Sequence, residues 1–352
     1  MKYKILCISV VIIHCLTLNS YGNKISTEFS KKWEKEFEVS PDATLKISNK
    51  YGTVHTTSWQ KNIITIMVIA SVDVDSKEKA DKILNHIDIV FDASKQEVNV
   101  TTEIQDLPEK MNKELQIDYT VMMPKTNNLS IKNKFGDVYV NELDGKVDIK
   151  VGYGNVKCGN LNNSANKLDI SFGAGSIDNF TSGNIILRYS ELNIDNGENI
   201  TIDSQFSTLD IGSVKTLNND SQYDKTGIKQ VRELNIDGKF STFKIYNIIK
   251  SFKLDTEFGN CSVKNISRDF KEVIVDNQFG GVELGFEEGA SFQLIAEAQL
   301  GDVDFPRKMT TINKETKGIT SYEMSGIVGN DKSPKSLVNI TTKHGDVELD
   351  FN

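Results

Sequence analysis

The feature that most constrains the fold is a short motif that recurs along most of the chain. Two copies are FKLDTEFGNCSV, from Phe252 to Val263, and VIVDNQFGGVEL, from Val273 to Leu284. Apolar residues alternate on both sides of an aromatic residue, and a small residue follows the aromatic. Alternation with a period of two places the apolar residues on one face of extended chain. Because the small residue lets the backbone turn, each copy predicts two short strands joined at the aromatic.

The motif recurs at near-constant spacing, which is typical of a solenoid. The copies are evenly spaced from Tyr189 to Phe240, and the spacing widens gradually before Leu300. Units this short cannot bury their own apolar side, so the sequence predicts an all-β, single-stranded β-helix or solenoid of ~17–21-residue coils. A meander of twisted hairpins is the structural alternative. The aromatic position is filled by Tyr51, Phe135, Tyr153, Phe172, Tyr189, Phe206, Tyr223, Phe240, Phe258 and Phe279, and in two further copies by Leu300 and His344.

Residues 1–22 have the features of a signal peptide. Lys2 and Lys4 precede an apolar run, and small residues at Ser20 and Gly22 offer a cleavage site. The run is too short to span a bilayer comfortably, and no later stretch is long and apolar enough to do so. We therefore expect a secreted protein that is periplasmic, outer-membrane-associated or extracellular, with no transmembrane segment in the mature chain.

The charge of the mature chain excludes some partners. Loss of Lys2 and Lys4 with the signal changes the formal net charge from −8 to −10. Nucleic acids and anionic lipid surfaces both need a positive protein face. We expect neither as a partner. Only Cys158 and Cys261 remain after cleavage, and both fall on inward positions of separate units. Their predicted separation is too large for a disulfide, so both are expected to be buried thiols.

The chain divides into segments of different pattern. Between the first and second motif copies, an insertion reads β-α-β-β-β, with Asp75 and Glu78 predicted as N-cap and third position of its helix. We expect this insertion to be a small α+β cap over the end of the repeats, because bare strand edges invite aggregation. The predicted segments are a lead-in at 23–44 that covers the first coil, the first coil at 45–56, the inserted cap at 57–124, repeats at 125–305, and a loop and C-terminal coil at 306–352. Within the last segment, residues 306–336 are predicted as a loop or loose hairpin.

Two short stretches carry a resemblance to a known family. The runs NKYGTV, from Asn49 to Val54, and KFGDV, from Lys134 to Val138, with Trp59 after the first copy, resemble the bacterial putative-adhesin family of β-strand repeats. That family is a domain of unknown function, and it is similar to the head domains of putative auto-transporter adhesins. The resemblance implies a β-solenoid in the cell envelope and brings no catalytic residues. Leu300 and His344 depart from the family pattern.

Catalytic and metal-binding motifs are absent from the sequence. His55, His86 and His344 lie in unrelated places, and the Gly-Asp pairs lack the repeat that wraps calcium. We expect a non-catalytic, surface-binding or structural module without a cofactor, whose partner is a surface glycan or an envelope protein. The alternative is a carbohydrate-active β-helix enzyme, a polysaccharide lyase or a glycoside hydrolase, with paired carboxylates on one face. The outward position that would display them reads Tyr139, Lys157, Asn193, Asp210, Lys244, Ser262, Glu283, Asp304 and Glu348.

Two columns follow from stacking the units in register. The aromatic residues from Phe206 to Phe279 are expected to form a buried ladder. Three residues before the aromatic, an acid recurs, which predicts an acidic column. Two hypotheses explain it: each acid accepts backbone N–H bonds from the turn, or the column also collects divalent cations such as calcium. Its predicted members are Asp203, Asp220, Asp237, Asp255, Asp276 and Glu297.

Overall fold

The computed structural model describes residues 27–105 and 115–352, and the predicted signal peptide lies outside them. The chain divides into two units, Met1–Gly173 and Ala174–Asn352. The described residues are all-β apart from α1 (Lys77–Leu84) and a short 3-10 helix, Arg307–Met309. None of their helices has the length and apolarity needed to cross a bilayer.

The first unit contains twelve described strands. They are β1 (Thr27–Glu38), β2 (Thr44–Lys50), β3 (Val54–Trp59), β4 (Ile63–Val74), β5 (Ile87–Ala93), β6 (Glu97–Ile104), β7 (Leu115–Pro124), β8 (Asn128–Lys134), β9 (Val138–Leu143), β10 (Val147–Gly152), β11 (Val156–Leu161) and β12 (Asn166–Ser171).

These strands pair in two ladders, one for each half of the motif. Strands before the aromatic pair in parallel in the order β6, β2, β8, β10 and β12. Strands after it pair in parallel in the order β7, β3, β9 and β11. Equivalent residues are partners, as with Leu45 and Leu129. Their side chains are buried because the alternation turns them to the same face.

The inserted segment continues both ladders of the first unit. Its strands β6 and β7 flank the first coil, and β5 and β4 then pair with them antiparallel. Two expectations for this region are wrong. The lead-in strand β1 pairs with β4 and not with the first coil. The N-cap of α1 is Ser76, whose extended backbone lets its Oγ accept from the Lys79 N–H at 3.4 Å, whereas Asp75 pairs with the Lys79 ammonium.

The second unit contains fourteen strands, and the first five of them are much longer than those of the first unit's coils. They are β13 (Ala174–Arg188), β14 (Glu191–Gln205), β15 (Thr208–Gln222), β16 (Lys225–Lys239), β17 (Thr242–Glu257), β18 (Asn260–Ile266), β19 (Glu272–Gln278), β20 (Gly281–Phe286), β21 (Phe292–Gln299), β22 (Val303–Asp304), β23 (Thr310–Lys317), β24 (Ser321–Val328), β25 (Ser336–Lys343) and β26 (Asp346–Phe351).

The five long strands correct the prediction of two short strands per unit. Strand β14 runs without a break from Glu191 to Gln205 and pairs in parallel with β15, so that Gln205 lies opposite Gln222. Between β14 and β15, only the aromatic residue Phe206 and the residue after it lie outside the strands and form the turn. No residues remain for a loop that would divide each long strand into two short ones. Where the spacing is wider, as between Phe258 and Phe279, the extra residues separate β18 from β19.

The C-terminal coil does not lie at the end of the stack. Strand β25 pairs in parallel with β19 on one side and with β21 on the other. Strand β26 is likewise held between β20 and β22. The last repeat in sequence is therefore the next to last in the order of parallel strand pairing. The preceding segment, predicted as a loop or loose hairpin, is the antiparallel hairpin of β23 and β24, with β24 paired to β21.

Cys158 and Cys261 are buried thiols, as predicted. Cys158 belongs to β11 and Cys261 to β18, each on the inward face. Burial raises the pKa of the Cys261 thiol.

Candidate functional site

Every residue in the aromatic position adopts the left-handed backbone conformation. The twelve φ angles lie between +53° and +66°. Non-glycine residues seldom adopt positive φ, so one strained residue marks the corner of every coil. The small residue that follows is a steric necessity in several coils. A Cβ on Gly136, for example, would collide with the carbonyl of Gly52 in the next coil.

The corner side chains of the second unit stack face to face. From Tyr189 to Phe279, successive ring centroids lie 4.7–4.9 Å apart with planes within 6°. The imidazole of His344 continues the stack at 4.7 Å from Phe279. In the first unit, Tyr51, Phe135, Tyr153 and Phe172 stack at 4.8–5.5 Å.

Stacking was predicted correctly, but burial of the rings was not. The aromatic residues from Tyr189 to Phe279 are each 42–52% exposed. A left-handed corner turns its side chain away from the interior, so each ring covers its neighbours' faces and shows its edge to solvent. We call the stack of Tyr189, Phe206, Tyr223, Phe240, Phe258, Phe279 and His344 the aromatic ladder.

Polar residues fill the interior behind many corners. Asn133 lies two residues before Phe135, is 4% exposed, and donates to the carbonyls of Gly52 and Gly136 at 2.9 and 2.8 Å. Asn277 donates in the same way to Gly280 at 2.7 Å. These bonds satisfy carbonyls that the turn leaves without a strand partner. The sequence signal that could have revealed them is a polar residue at an inward position of the alternation.

One coil carries a buried carboxylate in place of the usual Gly or Ser. Asp224 is 3% exposed. Its Oδ2 accepts from Ser204 Oγ at 2.7 Å and from Ser221 Oγ at 2.8 Å, and its Oδ1 accepts from the Ser207 N–H at 2.6 Å. Four donors in all, including the Gln222 N–H at 3.1 Å, compensate the buried charge.

The predicted acidic column exists, with one correction. Asp203, Asp220, Asp237, Asp255 and Asp276 are register partners in succession. Glu297 does not adjoin Asp276, because Thr341 of β25 lies between them. Glu297 is thus separated from the five aspartates, which we call the acidic column.

The acidic column lines a groove of about 590 Å³ on the second unit. Burial raises the pKa of Asp220 and Asp255, and the carboxylates on the neighbouring rungs raise it further. The only ion pair of the column among the described residues joins Asp203 to Arg188 at 2.8 Å. The adjacent column of the groove consists of Thr201, Asn218, Asn235, Lys253 and Ile274.

The turn-bonding hypothesis for these acids is wrong. Within residues 27–105 and 115–352, no backbone N–H of a turn donates to a carboxylate of the acidic column; the corners use inward residues instead. The same residues contain no group of three or more His, Cys, Asp or Glu side chains able to hold a metal ion. The calcium hypothesis is not tested by this observation and stays open.

The other candidate acids lie outside the groove. Glu283, Glu348 and Asp304 are register partners on the second strand of their coils. Each histidine has its own surroundings: His55 contacts the ring of Tyr139, His344 belongs to the aromatic ladder, and His86 follows α1.

Comparison with known proteins found solved structures alone; no protein-family model and no curated protein matches. A putative adhesin from Bacteroides fragilis is 11% identical with a TM-score of 0.28, and the match covers 92% of this chain and 97% of that one. A putative cell adhesion protein from Clostridium sporogenes is 10% identical with a TM-score of 0.20, covering 92% of this chain and 100% of that one. A putative lipid binding protein from Parabacteroides distasonis is 10% identical with a TM-score of 0.27, covering 90% and 96%.

Two of these three structures are of a putative adhesin and a putative cell adhesion protein. The motifs of this chain resemble the putative-adhesin family. At such identities and TM-scores, neither the fold nor the role of those proteins is transferred to this chain.

Proposed function

We propose that the chain is a non-catalytic, exported protein of the cell envelope that holds a positively charged surface partner in the acidic groove. The observation that carries this proposal is the acidic column, where five carboxylates occupy successive rungs along one groove. The signal-peptide features of residues 1–22 support the proposed export. The proposed partner is a surface glycan or an envelope protein.

A solenoid is the scaffold that suits this role, and we propose it for both units. Parallel, in-register pairing of equivalent residues at one repeat length supports it. Such stacking sets the carboxylates about 4.8 Å apart along the groove. Like charges at that spacing repel, and a partner with several positive charges relieves the repulsion on every rung it reaches.

The enzymatic alternative has less support. A carbohydrate-active enzyme needs paired carboxylates and commonly an aromatic face on which a sugar ring stacks. Glu283, Glu348 and Asp304 supply neighbouring acids. The rings of the aromatic ladder, however, cover one another's faces and leave edges to solvent.

A glycan array tests the proposal. The mature protein, applied beside the Asp220→Asn/Asp237→Asn double variant, should favour amine-bearing glycans over their N-acetylated counterparts. The double variant should lose this preference, and Asp210→Asn, an exposed aspartate of the same unit outside the groove, should keep it. Equal binding of both glycan classes would contradict the proposed partner chemistry.

Calcium is tested separately by thermal melting. An ion between two neighbouring rungs would meet only two carboxylates, whereas calcium takes six to eight oxygen ligands. We therefore expect calcium to change Tm no more than sodium chloride of equal ionic strength does. A larger rise in Tm with calcium that Asp237→Asn abolishes would instead assign the column as a cation site.

A further inference from the structure

The aromatic ladder is a regular apolar feature on the surface of the second unit. With 42–52% of each aromatic residue exposed, its six aromatic rungs present on the order of 500 Å² to solvent. Exposed patches of this size on soluble proteins often mark an interaction site. Nothing in the proposed role of the acidic groove uses the ladder, because the groove is lined by other residues.

We propose that the aromatic ladder is the contact surface of a parallel, two-fold dimer of this chain. In this dimer, the ladders of two copies lie edge to edge and run in the same direction. Edge contacts suit these rings, since their faces are already covered by neighbours at 4.7–4.9 Å.

The spacing of the ladder selects a partner with the same period. Six steps from Tyr189 to His344 span about 29 Å at the sheet spacing. An α-helix laid along the ladder repeats every 5.4 Å and would drift by about 3.5 Å over that length. An extended peptide repeats its side chains about every 6.7 Å and would drift by about 11 Å. A second copy of the ladder keeps every rung in contact.

A two-fold axis can join the ladders in a parallel or an antiparallel dimer, and the charged residues beside the ladder distinguish the two. The residue before each corner flanks the ladder on one side, and the residue two after the corner flanks it on the other. A parallel dimer sets the first column of one copy against the second column of its partner at equal height. At one end Arg188, whose guanidinium also pairs with Asp203 of its own chain, then faces the position of Glu191. At the other end Lys343 faces the position of Asp346.

The parallel arrangement opposes no like charges. The intermediate pairs along each edge combine one charged or polar residue with a neutral one: Gln205 with Thr208, Gln222 with Lys225, Lys239 with Thr242, Glu257 with Asn260, and Gln278 with Gly281. An antiparallel dimer would set Arg188 against Lys343, Glu191 against Asp346, and Lys239 against its own copy. By symmetry the first two contacts occur twice and the third once, and these five like-charged contacts disfavour the antiparallel dimer.

The rings and the flanking columns together form the contact area of the proposed dimer. Stable interfaces bury about 800 Å² per partner, and the flanking columns add to the area of the rings. Closed two-fold pairing through one self-complementary patch is also the commonest form of protein association.

Sedimentation equilibrium of the mature chain tests the proposal. We expect a monomer–dimer equilibrium, and we expect Lys343→Glu to weaken it about tenfold, since two symmetric contacts with Asp346 become repulsive. Lys229→Glu, an exposed lysine of the same unit away from the ladder, should leave it unchanged. A chain that stays monomeric at all concentrations would overturn the proposal, and so would a dimer indifferent to Lys343→Glu.

Cysteine cross-linking tests the orientation independently of stability. A mixture of Gln205→Cys and Thr208→Cys proteins should form a disulfide between copies, whereas either protein alone should not. A Lys239→Cys protein that cross-links to itself would indicate the antiparallel dimer and overturn the parallel one. Binding of the monomer to phosphatidylcholine vesicles, lost with Phe206→Ser/Phe240→Ser, would instead assign the ladder to lipid.

Discussion

The imidazole of His344 stacks on the ring of Phe279 at 4.7 Å, with the two planes 3° apart, although the two residues are far apart in the sequence. The contact exists because the C-terminal coil enters the stack between two coils that are adjacent in sequence. Strands β25 and β26 thus hold β19 and β20 to β21 and β22.

The inserted coil should be decisive for the stability of the second unit. Ile340 of β25 is fully buried between Val275 and Ala296. Ile340→Ala should lower the free energy of unfolding by about 2–5 kcal/mol, measured by urea denaturation. Thr341→Ala, at the adjacent exposed position, should change it by no more than about 0.5 kcal/mol. Equal losses of stability in the two variants would contradict the position of β25 between β19 and β21.

The left-handed corners give a test that separates stacking from strain. Phe240→Ala removes two ring contacts worth about 0.5–1.5 kcal/mol each and leaves a Cβ at a φ of +54°. Phe240→Gly removes the same contacts but relieves the strain, which is about 1–2 kcal/mol. Thermal melting should therefore find the glycine variant more stable than the alanine variant. The reverse order would show that the corner is not strained.

The buried carboxylate of Asp224 should matter more than its small size suggests. Asp224→Ala leaves the Ser207 backbone N–H without its acceptor. The hydroxyls of Ser204 and Ser221 keep only their longer bonds, to the Asp220 carbonyl at 3.4 Å and to Ser241 Oγ at 3.2 Å. We expect a cost of about 3 kcal/mol. Asp224→Ser restores the residue type found after Tyr189, Phe206 and Phe240, and it should cost less. Denaturation of the two variants in urea measures the difference, and an equal loss would show that the hydrogen bonds are not the cause.

The acidic column should make stability depend on pH in a defined direction. A folded-state pKa raised above the unfolded value means that the folded protein binds the proton more tightly. The resulting stabilisation is complete below the unfolded pKa of about 3.9 and is lost as pH rises through the raised folded value. At neutral pH, Asp220→Asn should therefore raise Tm, and the gain should shrink in high salt. A fall in Tm, with Asp210→Asn unchanged, would contradict repulsion within the column.

Period and corner position could be predicted from sequence because both follow from local chemistry. Alternation fixes which side chains face inward along a strand, as for Phe252 and Leu254, which are both buried. The burial of the corner rings could not be predicted in the same way. A residue at positive φ belongs to neither face, so the alternation does not say where Phe240 points.

The order of the coils in space also lies beyond the sequence pattern. The copy ending at Leu349 fits any open strand edge equally well by its alternation. Its place beside Asp276 depends on the length of the hairpin β23–β24 that precedes it, and the motif carries no information about that length. For this reason the repeat pattern predicts Glu297 beside Asp276, whereas in the structure Thr341 lies beside Asp276.

Titration calorimetry with a short oligolysine peptide tests whether the acidic groove binds a partner through the partner's positive charge. We expect oligolysine to bind the mature protein, and we expect the same peptide with acetylated side chains not to bind, because acetylation removes the charge alone. Asp220→Asn/Asp237→Asn should abolish the heat of binding, while Asp210→Asn retains it. Equal binding by the double variant and the native protein would show that the acidic column does not hold the partner.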